Sequence, residues 1–324
     1  IPQRSLTMNR TISYIIVGLT LMTSFCSCGN KNKSGRTDTY SSGAISFASD
    51  ESFSPIIEEE REMFESLYPQ AKLKPLYTDE YNEVDLLMRG KIQLAITSRD
   101  FSPKQLKYLQ DHRYMPQAIP LAYDGLALIV NKENNDTCIS VKDVKRILRG
   151  EVTQWNQIYP GSKRGKITVV FDNKNSSTVK FCEDSILGGQ PVNNEIAFAV
   201  KRSKDVVDYV EKTPNAIGII GSNYLNDKRD TTNTTFKKNI HVMSVSKKDK
   251  ATEMNSWKPY QAYLFDGRYP FIRTIYALVN DPINGLPWSF AQFIAGPKGQ
   301  LILFKSSLLP YRGDVTFRNV EVKE

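Results

Sequence analysis

Histidine and cysteine are scarce in this sequence, and their scarcity excludes several kinds of chemistry. The 324 residues include two histidines, His112 and His241, and four cysteines. No HExxH motif is present, and no CxxC motif occurs in the body of the chain. A zinc enzyme or a histidine-based catalytic triad is therefore not expected. GxGxxG and Walker A motifs are also absent, so we expect neither a cofactor nor a metal.

Concentrated positive charge is absent as well. Lysine and arginine number 43 against 35 acidic residues, which gives a formal charge of +8 and an isoelectric point of about 9.1. The basic residues are scattered, and the short clusters at 163–166 and 247–250 are not interleaved with aromatic residues. We therefore expect no nucleic-acid partner. The surface charge favours anionic ligands or a negatively charged membrane face.

One long apolar segment is present, near the N-terminus. The sequence there reads MNRTISYIIVGLTLMTSFCSCGN, with a basic residue at Arg10, an apolar segment and then small residues before Cys28. This pattern is typical of a secretory signal, and the segment is too short and too soon interrupted for a membrane span. Residues 1–28 are therefore predicted to be a lipoprotein signal that ends at Cys28, the lipidated residue. Cys26 is the alternative lipidation site.

The polar residues 29–43 that follow predict a flexible tether. A lipidated protein on such a tether would lie in the periplasm or cell envelope, and the lipid would be its one contact with the membrane. Disulfides form in such a compartment. Cys138 and Cys182 would then either pair or remain buried free thiols, and the sequence leaves both alternatives open.

Strand-like and helix-like patterns alternate through the rest of the chain, which indicates an α/β fold with a largely parallel sheet. Residues 44–48 read as a strand, after which Ser54 is expected to cap a helix that Pro55 opens. Ser102 to Gln105 has the pattern of a capping box at the start of another helix. The last helix is predicted near residues 288–304, in a segment that returns to complete the first domain.

Two apolar runs between Ile119 and Asn131 are predicted to be two strands joined by a turn at Tyr123-Asp124-Gly125. The alternative is that Asp124 and Gly125 contact a ligand. The polar, threonine-rich residues 227–239 are expected to form an exposed loop. The three tryptophans are widely spaced within apolar patterns and are expected to be packing residues. They are Trp155, Trp257 and Trp288.

The clearest functional signal lies between Val169 and Ile186, where an apolar run, a polar turn and a helical pattern follow one another. The free N–H groups at a helix start carry a partial positive charge, and hydroxyl groups add further donors. Ser176, Ser177 and Thr178 supply such hydroxyls, so the pattern predicts a binding site for an oxyanion. The alternative is that these residues merely cap an ordinary helix. A second helix start follows a strand at residues 52–55.

Eight segments within residues 44–309 form a pattern through their sequences and their order along the chain. They are ASDESFSP (48–55), ITSR (96–99), DGLALIVNKEN (124–134), ISVKDVKRILRGEVTQWNQI (139–158), SSTVKF (176–181), PNAIGII (214–220), YPFIRTIYALVN (269–280) and GQLIL (299–303). In this order they resemble the phosphate-type (PstS-like) periplasmic substrate-binding proteins of ABC importers.

The resemblance implies a type II periplasmic-binding-protein-like fold, in which a two-segment hinge joins two α/β lobes and the ligand lies in the cleft between them. Residues 44–122 plus 266–324 would form lobe 1, and residues 123–265 would form lobe 2. The resemblance further implies a monomeric protein that is not an enzyme. It would bind a small oxyanion, phosphate first, and its closed form would dock on ABC permease subunits.

The resemblance also implies which residues bind the ligand. Three loops match the family pattern, and they contain Ser52 and Phe53; Thr97, Ser98 and Arg99; and Ser176, Ser177 and Thr178. Leu94 and Asp172 depart from the pattern, since they stand where the family has an aspartate and an arginine. Arg99 is expected to supply the missing cation, and the alternative is that it forms a surface ion pair.

Carboxylates close to these loops bear on the choice of ligand. Asp50, Glu51, Asp79 and Glu80 are expected to be first-turn helix charges or residues on the rim of the cleft. If they faced the cleft without compensation, they would repel a dianion, and phosphate would be the wrong ligand.

Two other functions remain open at this point. Leu94 and Asp172 favour a family member without phosphate affinity that acts as a sensor or partner-docking module. A serine hydrolase of the cell envelope could use Ser176 or Ser177 as its nucleophile, but these serines lie in no GxSxG motif and the usual histidine base is scarce.

Overall fold

The computed structural model describes residues 35–225 and 239–313. The predicted signal with Cys26 and Cys28 lies outside these residues, as do the first part of the tether and nearly all of the predicted loop at 227–239. The end of the predicted tether packs on the body of the protein, because the Asp38 carboxylate accepts a hydrogen bond from the Leu286 N–H (2.8 Å). The ring of Tyr40 also packs against Tyr68.

The first part of the described chain alternates strands and helices. These elements are β1 (Gly43–Asp50), α1 (Ser54–Leu67), β2 (Ala71–Thr78), α2 (Glu80–Met88), β3 (Leu94–Thr97), α3 (Pro103–Asp111) and β4 (Gln117–Asn131). The capping box at α3 is confirmed, because Ser102 Oγ accepts from the Gln105 N–H and the Gln105 side chain accepts from the Ser102 N–H. Ser54 belongs to the first turn of α1 and does not cap it, because a short 3-10 turn, Glu51–Phe53, leads directly into the helix.

The second part continues the alternation and then returns to the first. Its elements are β5 (Cys138–Ser140), α4 (Val141–Leu148), β6 (Thr168–Phe171), α5 (Ser177–Phe181), β7 (Ala197–Ala199), α6 (Ser203–Lys212), β8 (Ala216–Gly221), β9 (Ile240–Val242), β10 (Ser244–Ser246), α7 (Gln261–Phe265), β11 (Ile272–Val279), α8 (Leu286–Ala295), α9 (Pro297–Lys305) and β12 (Leu309–Pro310). The helical backbone of α5 continues as a π-helical turn, Cys182–Ile186. The predicted last helix is in fact α8 and α9, because Gly296 and Pro297 interrupt it.

One path of hydrogen-bonded strands crosses the molecule in the order β2-β1-β3-β11-β4-β8-β6-β7, and β9 and β12 also pair with β4. β1 is parallel to β2 and β3, and β6 is parallel to β7 and β8. The central strands β11 and β4 are antiparallel to each other and to their outer neighbours. The prediction of a largely parallel sheet therefore holds within each half and fails at the centre.

β4 runs without a break from Gln117 to Asn131, so the prediction of a turn at Tyr123-Asp124-Gly125 is wrong. Asp124 and Gly125 stay in the sheet and pair with Arg273 and Ile272 of β11. Glycine is needed at position 125 because Pro259 packs closely against the backbone there: a Cβ at this position would lie 2.6 Å from Pro259 Cβ. The two apolar runs are thus one strand that passes from one half of the sheet to the other.

Apolar side chains form separate cores in the two halves. One core includes Phe47 and Phe64 of the first half together with Phe290 of α8 and Leu303 of α9. The other includes Trp155, which is fully buried, and Trp257 packs against it. Trp288 packs against the first core, so the three tryptophans are packing residues. Both cysteines in the described region are free thiols, Cys182 buried and Cys138 partly buried.

Strand direction determines where polar residues collect. β3 and β4 are both antiparallel to β11 and therefore run the same way, whereas β8 and β6 run the opposite way. The carboxyl ends of the parallel strands in the two halves consequently point toward each other. Such ends are the usual place for a ligand in α/β sheets. Within residues 35–225 and 239–313, no helix has both the length and the apolar character needed to cross a bilayer.

Glu60 is a buried acid in the core-facing side of α1. Neither of its carboxyl oxygens makes a hydrogen bond within the described structure. Burial raises the pKa of Glu60 to about 9 from an ordinary value of 4.5, and the charge of Glu59 adds to the effect. The native state therefore holds a proton that the unfolded chain has released. The free energy of unfolding falls by about 1.4 kcal/mol per pH unit over this range.

Glu60→Gln is expected to remove this titration, so the stability of the variant should exceed that of the wild type by a margin that grows from about pH 5.5 to about pH 8. Urea denaturation at both pH values measures the margin. Glu62→Gln, an exposed substitution on the same helix, is the matched control and should leave the pH dependence unchanged. An equal loss of stability with pH in wild type and Glu60→Gln would contradict the prediction.

Candidate functional site

The site lies where the strand ends of the two halves meet, and the buried guanidinium of Arg273 is at its centre. Arg273 Nε and Nη2 donate to Asp124 Oδ2 at 3.0 and 2.8 Å. Nη1 donates to Ser177 Oγ at 2.6 Å, and Nη2 also donates to Ser52 Oγ at 3.1 Å. One guanidinium therefore joins the middle of β4 to the hydroxyls at both predicted helix starts.

The surroundings of Arg273 hold its side chain in place. The ring of Phe53 lies under the guanidinium, 4.6 Å from Cζ, which is a cation–π contact. Asp124 Oδ1 accepts from the N–H and the hydroxyl of Ser222, just after β8. Gly221 leaves room for the ion pair, since a Cβ there would lie 2.9 Å from both Arg273 Nη2 and Asp124 Oδ2.

The two helix starts predicted from the sequence come together, with Ser52 Oγ and Ser177 Oγ 3.4 Å apart. Between them lies the carboxylate of Asp50, the last residue of β1, which is fully buried. Its Oδ1 accepts from the Ser52 N–H (2.8 Å) and its Oδ2 accepts from the Ser177 N–H (3.0 Å). Asp50, Ser52, Asp124, Ser177 and Arg273 are called the central cluster below.

Asp172 organises the third predicted loop. Its carboxylate accepts from Ser176 Oγ (2.7 Å), Thr178 Oγ1 (3.1 Å) and the Asn173 N–H (2.9 Å). Burial, together with the charge of Asp50, raises the pKa of Asp172 to about 7. The hydroxyls of Ser176 and Thr178 thus donate to a carboxylate of their own half.

A second group of contacts joins the two halves beside the central cluster. Glu51 accepts from the N–H and the hydroxyl of Ser203, both at 2.9 Å, and from the Tyr224 hydroxyl at 2.8 Å. Asn223 Nδ2 donates to the Ser52 carbonyl at 3.0 Å. Glu51 does lie in a helical first turn as predicted, yet it also bridges the halves.

Other acids predicted to lie in first turns or at the rim divide between structural and site positions. Asp79 caps α2 by accepting from the Asn82 N–H, and Glu80 lies in the first turn of that helix. Glu80 is nevertheless buried, and its pKa is raised by burial and by the charge of Asp50. Asp50 caps the 3-10 turn by accepting from the Ser52 N–H, but it is fully buried and does not lie at the rim, because the converging strand ends enclose it.

The second predicted loop contributes differently from the other two. Thr97 is fully buried, and Ser98 Oγ donates to Glu80 at 2.7 Å. Arg99 pairs with Glu80 (3.2 Å) and donates to Gln105, and its side chain is 35% exposed. The predicted role of Arg99 as the central cation therefore passes to Arg273, which the sequence analysis did not single out.

Signals for the missed residues were present in the sequence. Arg273 is a lone charge in the apolar strand pattern YPFIRTIYALV, and Asp124 is a lone charge in IPLAYDGLALIV. Charged residues within buried strands are almost always paired. Two such charges of opposite sign in two strand patterns are therefore a usable indication of an ion pair.

The contacts of Ser177 bear on the hydrolase alternative. Ser177 and Lys180 have SxxK spacing, which can supply a serine and a lysine base. Lys180 Nζ instead pairs with Asp184 (3.1 Å) on the surface, and Ser177 Oγ accepts from Arg273. A guanidinium donates protons and accepts none, so these contacts do not activate Ser177 as a nucleophile.

The fold and the position of the site define a two-lobed α/β binding protein with polar residues enclosed between the lobes. The family model of the PBP superfamily domain matches residues 34–298. The chain belongs to this family, and the predicted type II periplasmic-binding-protein-like fold is confirmed.

Named relatives support the same grouping. The phosphate-binding protein PstS of Staphylococcus aureus strain USA300 is 24% identical over 288 residues, which covers 88% of this chain and 83% of the relative. A candidate phosphate ABC transporter substrate-binding protein from Clostridium perfringens, solved with bound phosphate, has a TM-score of 0.68 at 20% identity. An ABC-type phosphate transport receptor from Vibrio cholerae has a TM-score of 0.62 at 19% identity. Each of these two matches covers 83% of this chain and 100% of the solved chain.

Arg273→Met is expected to lower the free energy of unfolding by about 3–5 kcal/mol, because it leaves the Asp124 carboxylate buried without its cation. Adding Asp124→Asn to this variant should recover part of the lost free energy of unfolding, since it removes the unpaired charge and its side-chain amide oxygen still accepts hydrogen bonds from Ser222. Urea denaturation of the single and double variants measures both effects. Arg89→Met, which breaks the exposed pair of Arg89 with Asp85, is the control and should cost about 1 kcal/mol or less. Equal costs at positions 273 and 89 would refute the central role of Arg273.

Proposed function

We propose that this protein is an extracytoplasmic solute-binding protein that binds a small oxyanion, inorganic phosphate first, and delivers it to an ABC importer without chemistry of its own. Membership of the PBP superfamily supports a binding role, and the relative from Staphylococcus aureus is named for phosphate. The proposed lobes are residues 44–122 plus 266–324 and residues 123–265. Closure of the lobes around the ligand would create the form that docks on the permease.

The observation that carries this proposal is the meeting of Arg273 with the hydroxyls and N–H groups at the two helix starts. A guanidinium, hydroxyls and helix-start amides are the groups that bind oxyanions in proteins. Here they come from both halves: Ser52 from the first and Ser177 from the second. An anion held between them would contact both lobes at once, which is what a closing binding protein requires.

Several buried acids surround these groups, and their protonation affects whether an anion is tolerated. The pKa of Asp172 is raised to about 7, and burial raises the pKa of Glu83 well above its ordinary range. A carboxyl group that holds its proton donates a hydrogen bond to an oxyanion and does not repel it. The repulsion expected from acids facing the cleft is therefore reduced at Asp172 and Glu83.

The anion-binding proposal predicts that phosphate binds with micromolar or tighter affinity in isothermal titration. Ser177→Ala should weaken binding by about tenfold or more, because it removes a hydroxyl next to the guanidinium. Arg273→Met should abolish binding, with circular dichroism to verify that the variant is folded. Arg99→Met is the matched control and should bind nearly as well as the wild type.

Sulfate, molybdate and small carboxylates are titrated in parallel. If one of these anions binds tightly and phosphate does not, that anion is the ligand and phosphate is not. A wild type that binds no anion would refute the transport role and favour the second candidate function, a sensor or partner-docking module. The buried Asp50 carboxylate among the anion-binding groups and the acid at position 172 are the observations that favour this second candidate.

The proposed location is the cell envelope, with a lipid on Cys28 as the membrane anchor and the protein acting as a monomer. The N-terminal sequence pattern supports this location. In a bacterial expression host, the wild type is expected in the membrane fraction and to incorporate labelled palmitate. Cys28→Ala should lose the label, whereas Cys26→Ala, the matched control, should retain it. The reverse result would move the lipid to Cys26, and no label in the wild type would refute the anchor.

A further inference from the structure

We propose that Asp50 is a built-in competitor for the anion-binding groups of the central cluster, and that its carboxylate joins the two lobes where an anion would otherwise join them. The inference rests on the proposed function, because it concerns the same groups. It goes further in assigning to one residue the control of both anion affinity and contact between the lobes.

The geometry of Asp50 is that of a bound oxyanion. Its two oxygens accept one N–H from each helix start, at 2.8 Å from Ser52 and 3.0 Å from Ser177. These two residues also present their hydroxyls to Arg273. Asp50 belongs to the first half and Ser177 to the second, so the carboxylate forms a hydrogen bond across the cleft. A ligand that accepted the same two N–H groups would have to displace it.

The charges around the cluster add to this competition. Arg273 already forms an ion pair with Asp124, so its positive charge is largely balanced before any ligand is considered. The charge of Asp50 is therefore in excess, and it contributes to raising the pKa of the neighbouring Asp172, Glu80 and Glu83. An entering anion would meet the same repulsion for as long as Asp50 stayed where it is.

Hydrogen-bond donors next to Asp50 offer its carboxylate a second position. Ser49 and Ile96 are paired in β1 and β3, so the following residues, Asp50 and Thr97, end neighbouring strands. The Thr97 hydroxyl and the Glu83 carboxyl are both buried and lie next to each other, and neither makes a hydrogen bond to any other group within the described structure. Burial raises the pKa of Glu83 well above its ordinary value, which favours the protonated carboxyl, a hydrogen-bond donor. A displaced Asp50 could thus turn from the helix starts toward this pair and accept a hydrogen bond from it.

An internal competitor lowers the apparent affinity by the fraction of molecules in which the binding groups are free. If Asp50 holds these groups in about nine molecules out of ten, removing its charge should strengthen anion binding about tenfold. The same change should weaken the contact between the lobes when no anion is added. These two effects have opposite signs, and a purely structural role for Asp50 would not produce the first.

The experiment compares wild type, Asp50→Asn and Asp50→Ala by isothermal titration with inorganic phosphate, and by amide hydrogen exchange at Ser177 in phosphate-free buffer. Both variants are expected to bind phosphate about tenfold more tightly or better, and to exchange the Ser177 N–H about tenfold faster. Asp79→Asn is the matched control, because Asp79 also caps a helix start, and the hydrogen bonds of its side chain within the described residues go to Asn82 of the same helix. It should change neither measurement.

The outcomes separate this inference from the proposed function. A wild type that binds phosphate, with Asp50 variants that bind it equally or more weakly, overturns the inference and leaves the function intact. A wild type that binds none, with Asp50→Asn that binds, supports the inference and refutes transport of phosphate by the wild type. If neither binds, both fail. Unchanged Ser177 exchange in folded Asp50→Ala also overturns the inference, because the carboxylate then holds nothing across the cleft.

Discussion

The pairing of Arg273 with Asp124 is the interaction on which the rest of the site depends. The two residues stand opposite each other on β11 and β4, the antiparallel strands at the centre of the sheet. A buried charge requires a partner of opposite sign, and neither residue is tolerable there without the other. Ser222 holds the carboxylate from the far side, so the guanidinium is fixed and its remaining N–H groups reach Ser52 and Ser177.

Strand direction explains why the polar groups meet at this pair. β4 passes through both halves, and parallel strands end on either side of Asp124: β3 ends at the level of Pro120 and β8 at the level of Leu126. The chain leaves each strand end through a short polar turn, so aspartates and serines from distant segments converge. Asp50 and Asp172 are buried neighbours although they are 122 positions apart in the sequence. Apolar cores on both sides exclude water from the junction and make its hydrogen bonds obligatory.

Local patterns were sufficient to predict most elements and the two helix starts, because a cap or an amphipathic face is decided within a few residues. The capping box at Ser102 is an example. Local patterns show that Asp124 and Arg273 are each a lone charge in an apolar strand, but they do not show that the two are paired, since the residues are 149 positions apart and a strand pattern does not name its neighbours. Gly125 suggested a turn because the approach of Pro259 leaves no trace in the local sequence. Arg99 was favoured because it adjoins a predicted loop, whereas its charge is used by Glu80.

The place of the cation in the chain determines how the two halves are coupled. In the family pattern the arginine stands four residues before the serine of the third loop; here that position is Asp172, which binds the hydroxyls of Ser176 and Thr178 within its own half. Arg273 comes from the central strand, where it pairs with Asp124. Its hydrogen bond to Ser52 lies within the proposed first lobe, whereas its hydrogen bond to Ser177 joins the two halves. Under the proposed function, Asp124 holds the guanidinium in place, and the hydrogen bond to Ser177 is the one whose free energy acts on closure of the lobes.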